Sequence, residues 1–457
     1  MYLYLSKILN KSFIINFLFS SLIISFVVGN LALNIVVLSL IIASIAFYGK
    51  KIIKIDIDSI DKIVIILFLY ILLCGFINNI YYRADGLTDD FTILIKSILF
   101  LRFLIFYFVI KFLIKENIIN FKIFFITAFG AVLFVCLDIF YQYIFGYDIF
   151  GFKGTVRRLS GPFGDENIAG SFIQRFSLFS LFLLPIFFKI KNNSIQYLII
   201  TILACLLLAG LVLAGNRIPI LFFLVTLIGL VIFEKNLRKF FIPFVLIAAS
   251  FFYSISVPID VSPLSKNMYY HLTSFKTKAF QIFDILSPEN ILTKEEEAKS
   301  SPEEDILFYT FEYKDKKYKL TNTHLKEFNF GIISWKKNKY FGGGLKSSGI
   351  ICEKYGFLNC SNHPHNYYLE ILSTLGLAGF FITLILLSLV FYKTFITKYF
   401  RISNLNNYQL ITPFIFLFFS EIFPIKSTGS FFTTGNATYI FLLFSIMVSL
   451  LKIKKLD

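Results

Sequence analysis

Apolar residues run along this chain in long blocks separated by short polar turns. A helix that crosses the hydrocarbon core of a bilayer needs about 20 mostly apolar residues. Twelve blocks approach that length: 13–28, 31–48, 60–77, 91–114, 121–145, 171–188, 195–214, 218–233, 240–257, 367–391, 408–424 and 437–451. The pattern predicts an all-α membrane protein of about twelve transmembrane helices. The first block carries no small-residue cleavage site and leads straight into further spans. It therefore reads as a span and not as a removed signal.

One segment breaks the pattern. Residues 258–366 form a 109-residue polar stretch placed before the third-last span. It divides the chain into a first transmembrane region (1–257, about nine helices), a large loop (258–366) and a second transmembrane region (367–457, about three helices). A structureless loop of that length is unusual, so it is expected to fold. Residues 287–305, rich in Glu, Lys, Ser and Pro, read as a solvated tip. Residues 307–320 alternate aromatic and polar side chains around Lys314-Asp315-Lys316-Lys317, which predicts a hairpin. Residues 324–340 fit an amphipathic helix carrying Trp335, stopped by Gly342-Gly343-Gly344.

Composition narrows the class. Of 457 residues, 57% are apolar and only 16% charged, which excludes a disordered chain and argues against a soluble enzyme. The net charge of +16 would suit a nucleic-acid binder, but its distribution points elsewhere. With the N-terminus in the cytoplasm and the spans alternating, the inner tails, loops and helix ends hold 20 basic and six acidic residues. The excess is a topology signal that places both termini in the cytoplasm. It requires membrane lipids as partners and no nucleic acid.

The candidate chemistry gathers on the other face. All four histidines, His271, His324, His363 and His365, lie in the large loop. His363 and His365 sit where it re-enters the membrane, in Asn362-His363-Pro364-His365-Asn366-Tyr367. Asn366 is suited to cap the following helix, whose N-terminus favours an anion. A histidine at that lip suits a general base. Arg217 lies in the tight turn Ala214-Gly215-Asn216-Arg217, and its fork of donors suits a diphosphate. Arg157 and Arg158 share that face. Lys96, Arg102, Asp138, Arg175 and Glu421 lie near or inside apolar runs, as internal ion pairs or a proton path. Cys74, Cys136 and Cys205 read as packing residues. Cys352 and Cys360 are candidates for a disulfide, and with His363 and His365 they match no standard zinc spacing. The patch Gly376-Leu377-Ala378-Gly379 reads as a close helix-packing surface.

Several of these stretches resemble the O-antigen ligase/polymerase family. They are His365-Asn366-Tyr367-Tyr368-Leu369-Glu370 with Gly376 and Gly379, and Trp335 with Phe341-Gly342-Gly343-Gly344. Arg158-Leu159-Ser160-Gly161-Pro162-Phe163-Gly164-Asp165-Glu166 and Phe423-Pro424 with Gly429-Ser430-Phe431-Phe432 are also similar to family stretches. The resemblance implies a GT-C-like, metal-independent glycosyltransferase in the bacterial inner membrane, without a cofactor. It would take a glycan from undecaprenyl diphosphate to lipid A–core or another glycan acceptor at the periplasmic face. His365 and Arg217 would be catalytic. Arg158, Arg157, His363 and Asn366 would bind substrate, with His363 as an alternative base. The turn here has Gly215-Asn216 before Arg217 and Ile218-Pro219 after it, unlike many relatives. A polymerase or a protein O-glycan transferase would share the donor chemistry. A transporter, with charges lining a path, and a purely structural protein are the rival classes.

Overall fold

The computed structural model describes residues 11–86, 91–154, 158–188, 193–235, 238–239, 242–243, 309–313, 316–320, 323–354, 363–401, 409–424, 426 and 429–451. Helices α1 (Lys11–Val28), α2 (Asn30–Ile52) and α3 (Ser59–Ala84) lead into α4 (Thr92–Phe100) and α5 (Arg102–Lys115). Next come α6 (Phe121–Phe145), α7 (Ala169–Phe187), α8 (Asn193–Leu213) and α9 (Arg217–Phe233). The large loop contributes strands β1 (Tyr309–Tyr313) and β2 (Lys316–Leu320) and helices α10 (Thr323–Lys337) and α11 (Ser348–Lys354). Three helices follow: α12 (Tyr367–Ile396), α13 (Ile411–Ile422) and α14 (Thr434–Leu450).

Eight candidate spans are long and apolar enough to cross a membrane, counting α4 and α5 together as Thr92–Lys115. The apolar helices α9, α13 and α14 are shorter. The tip 287–305, and all of the expected span 240–257 except residues 242 and 243, lie outside the described residues. Block 91–114 is broken at Leu101, whose carbonyl still accepts from Leu104 and Ile105. In the loop, β1 and β2 pair antiparallel with Tyr309 opposite Leu320, as the alternation predicts.

The bundle is built around α14. Its residues Asn436–Leu450 are all buried, so this helix is apolar on every side and packed on every side. Phe441 stacks on Phe103, and Phe444 meets Tyr107. Tyr439 meets Phe26 and Phe176. The peripheral helices instead leave large apolar side chains uncovered, among them Phe17, Leu31, Ile42, Leu69 and Ile202. A soluble monomer does not expose such a continuous apolar belt, and a bilayer would cover it.

Polar groups fix both ends. At one end, Asp58 caps α3 by accepting from the N–H groups of Ile60 and Asp61, while Asp61 accepts from the Asp58 N–H. Lys111 enters from α5 to pair with Asp58 at 3.2 Å and with Asp61. Tyr107 donates to Asp61 at 2.6 Å. Lys111 and Asp61 were expected among the charges at inner helix ends, but they are buried inside the bundle. They persist there because each charge has an opposite partner. At the same end Lys398 pairs with Glu234 at 2.8 Å, and Glu234 also accepts from Thr412 and Tyr399.

At the other end, the large loop docks on α12. This helix breaks at Gly376, which has φ 67° and ψ −170°. The break frees carbonyls that the glycine triplet uses: Gly343 N–H donates to Ser373 at 2.8 Å and Gly344 N–H to Thr374 at 2.9 Å. Leu377 N–H returns a bond to Lys339 at 2.9 Å. Gly342 has φ 63°, and a Cβ there would collide with the backbone of Thr374 and Leu375. The Tyr70 hydroxyl donates to the carbonyls of Tyr340 and Leu375, closing the junction. Gly376 and Gly379 thus form the close-packing surface expected of them.

Candidate functional site

The loop end contains a cavity of about 320 Å³ between the α1–α2 turn, the approach to α7, the entry to α12 and the segment before α14. Its apolar wall includes Phe26, Leu33, Phe163, Phe172 and Phe176. Its polar lining includes Asn30, Glu166, Arg175, His363, Ser430 and Asn436. Such a volume falls within the range of small-molecule sites, about 300–1,000 Å³.

His363 and His365 stand side by side at its mouth, their ring centroids 4.3 Å apart. His365 holds φ 50°, a left-handed conformation uncommon for a residue with a Cβ. Its Nε2 lies 3.4 Å from Glu327 Oε2 of α10. The folded helix of the large loop therefore places a carboxylate beside the imidazole. That carboxylate would also balance the charge gained when the ring takes a proton. His363 lines the cavity itself, and its buried Nε2 has no hydrogen-bond partner among the described residues. Burial, then the neighbouring His365 and Lys346, pushes its pKa down to about 4. His363 is therefore neutral near pH 7 and able to accept.

Asn366 caps α12 as expected, its Oδ1 accepting from Tyr368 N–H at 3.0 Å and Leu369 N–H at 3.1 Å. Its amide nitrogen donates to the Pro424 carbonyl at 2.8 Å, tying the α12 entry to the segment after α13. The capped N–H groups are engaged by this side chain, so Asn366 shapes the rim more than it presents an open helix end. Arg217 begins α9 and is half-buried. The preceding Asn216 donates to the Asn167 carbonyl at 3.1 Å and packs against Gly170. The stretch Gly164–Gly170 and the Arg217 turn are thereby brought together, but Arg217 does not line the cavity. Arg158 is exposed beside the short 3-10 turn Gly161–Phe163. Arg157 and Cys360 lie outside the described residues, as does the side chain of Cys352.

Below the histidines is a buried ion network that sequence left unpaired. Arg175 of α7 pairs with Glu421 of α13, its Nη2 at 2.6 Å from Oε1 and its Nε at 3.2 Å from Oε2. The same Nη2 donates to Asn436 at 2.6 Å. Lys426 also pairs with Glu421, and Tyr367 donates to Glu421 at 2.8 Å. Nearby, Glu370 accepts from the Ser430 hydroxyl and the Phe431 N–H, each at 2.5 Å. Arg175 and Glu421 were visible as charges in apolar runs. Glu327 and Lys426 were missed, since neither is out of place in a polar segment. Elsewhere, Arg102 bonds Thr434 at 3.2 Å, Asp138 accepts from Ile149 N–H at 2.9 Å, and Lys96 is exposed. Cys74 and Cys136 are buried packing residues, and Cys205 is half-buried.

This arrangement defines a polytopic helical membrane protein with a polar, histidine-flanked cavity under a folded loop. Residues 202–384 match the family model described as O-antigen ligase. The matched region is similar to that family, in line with the motifs at His365–Glu370 and Gly342–Gly344. It contains Arg217, Glu327, His363, His365 and Asn366, and leaves Arg158, Arg175, Glu421 and Lys426 outside. No curated protein shows a significant match to the chain.

Proposed function

We propose that this protein is a membrane glycosyltransferase that moves a glycan from undecaprenyl diphosphate to an acceptor hydroxyl at the periplasmic face of the bacterial inner membrane. O-antigen ligation to lipid A–core is the leading reading. Repeat-unit polymerisation or protein O-glycosylation would be the same chemistry on another acceptor. The observation that carries the reading is the His363–His365 pair, with Glu327 behind His365, at the mouth of an amphiphilic cavity.

In the reaction, the acceptor oxygen forms a bond to the anomeric carbon as the bond from that carbon to the diphosphate oxygen breaks. The diphosphate leaves with the electron pair. The acceptor proton passes to His365, whose developing charge is balanced by Glu327. His363, neutral and with its Nε2 unbonded among the described residues, orients the hydroxyl or serves as the base in its place. Negative charge grows on the leaving group, where cationic donors lower the barrier. Arg217 and Arg158 are candidates for that task, with Arg157 beside them in sequence. Both substrates are membrane-anchored, which favours their encounter at this site.

Mass spectrometry of surface glycan and carrier lipid in a deletion strain tests the reading, with wild type and His365→Ala as complements. General-base removal typically costs about 10²–10⁴-fold, so His365→Ala is expected to reach the membrane and leave glycan on its carrier. Carrier-linked polymer would indicate lost ligation, and single repeat units lost polymerisation. Normal surface glycan with His365→Ala would remove His365 from the mechanism. An unchanged deletion strain would remove the reading itself.

A further inference from the structure

In the proposed transfer the leaving diphosphate falls to Arg217 and Arg158, yet neither lines the cavity. The charged residues lining it are Arg175 and Glu166. Glu166 is exposed, whereas the Arg175 side chain is only 12% exposed. The inner wall thus carries a fixed positive charge.

We infer that Arg175, held by Glu421 and by the Asn436 side-chain oxygen, forms an anion subsite in the wall of this cavity that takes the diphosphate of an isoprenoid lipid. This deepens the proposed function and rests on it for the identity of the substrate.

Three observations support the subsite. The first is the donor supply. Among the described residues, the bonds of Arg175 engage its Nε and Nη2, and Nη1 takes part in none of them. A guanidinium held by a bidentate carboxylate keeps its remaining edge in a fixed direction. The second is charge. Glu421 is shared between Arg175 and Lys426, so one carboxylate faces two cations. Glu370, bonded by Ser430 and Phe431, is not among the residues that line the cavity. An incoming anion would meet the positive excess of the triad. The third is the rest of the wall. Phe26, Leu33, Phe163, Ile168, Phe172 and Phe176 are apolar, and polar Ser171 and Ser430 lie among them. An apolar wall facing a polar one that holds a buried guanidinium matches an amphiphile, an anionic head on a hydrocarbon chain.

Glu421 is then a positioning residue. It orients Arg175 without contacting the ligand, and the Tyr367 hydroxyl and Lys426 hold it in turn. The subsite also explains why the α13–α14 segment, far along the chain from the histidines, reaches the same cavity.

The test uses the full-length protein in nanodiscs with farnesyl diphosphate as the probe and farnesol as the uncharged control. Wild type is expected to bind the diphosphate saturably and to bind farnesol at least ten-fold more weakly. Arg175→Gln should lose at least ten-fold in affinity, and Arg175→Lys less. Because Arg175 is buried, Arg175→Gln is read only where it remains monodisperse. Ser171→Asp breaks no part of the ion network and places a negative charge in the cavity wall. It should weaken the diphosphate at least ten-fold more than Ser171→Asn, which is matched in size. Equal affinity of Ser171→Asp and Ser171→Asn would overturn the subsite, as would farnesol binding as tightly as farnesyl diphosphate. If the diphosphate binds in the expected pattern while the deletion strain keeps normal glycan, the subsite stands and the glycan-transfer reading fails. If the deletion strain loses glycan while Ser171→Asp binds like Ser171→Asn, the reverse holds.

Discussion

The two ends of the bundle both bury ions, and they bury them differently. At the end opposite the large loop, Lys111 meets two aspartates and Lys398 meets Glu234. The nearby cavity there is lined by Ile, Leu, Val, Phe and Gly alone. At the loop end one carboxylate serves two cations, and the guanidinium borders a cavity with a polar lining. Buried ion pairs by themselves say little about function, because structural pairs perturb their surroundings just as much. The cavity and the surplus of donors distinguish the loop end.

That contrast can be broken from either side. The largest expected effect is on transfer by Arg175→Gln. Removing one pre-organised donor to a developing anion costs about 10²–10³-fold in rate, measurable as lost glycan transfer in membranes. Lys111→Met should do the opposite. Breaking a buried pair costs about 3–5 kcal/mol, so it should lower the yield of folded protein and its melting temperature. Transfer per folded molecule should stay near wild type. If Lys111→Met and Arg175→Gln lower transfer per molecule equally, the distinction between the ends is lost.

Gly342→Ala comes next. A left-handed backbone and a collision with the Thr374 backbone together cost on the order of 1–3 kcal/mol or more. It should loosen the large loop from α12, shown by faster proteolysis of the loop and reduced transfer. A smaller effect concerns pH. His363 has its pKa lowered in the folded protein, so the unfolded chain binds more protons between pH 6.5 and about 4. Stability from the neutral His363 is present above pH 6.5 and is lost as pH falls through that window. The melting temperature of His363→Gln should therefore fall less steeply between pH 6.5 and 4 than that of wild type. Asn366→Ala should be mildest, about 1 kcal/mol for a lost cap, seen as a small drop in melting temperature.

Much of the fold was legible because a bilayer imposes one rule on every block: satisfy the backbone within a helix. Blocks such as 121–145 and 367–391 coincide with described helices for that reason. The cap at Asn366 and the stop at Gly342–Gly344 were legible because local backbone needs select those residues. The pairing of the ions was not. Arg175 and Glu421 are 246 positions apart, and no periodicity relates α7 to α13. Nor did the sequence show that Lys111 and Asp61 turn inward, since a charge at a helix end usually reaches water. Histidines 363 and 365 stood out through their setting. Glu327, which lies beside His365, became visible only once α10 was folded against the α12 entry.

Helix α14 is buried along nearly its whole length, and it carries Asn436 at the cavity. In the order of synthesis it emerges after every other described helix. Those helices must therefore enter the bilayer with their central seat unfilled, and accept α14 afterwards. The cavity is finished only at that moment. A chain caught just before α14 is made would hold both histidines yet lack one wall of the pocket beside them. Assembly itself thus keeps the site silent until α14 is seated.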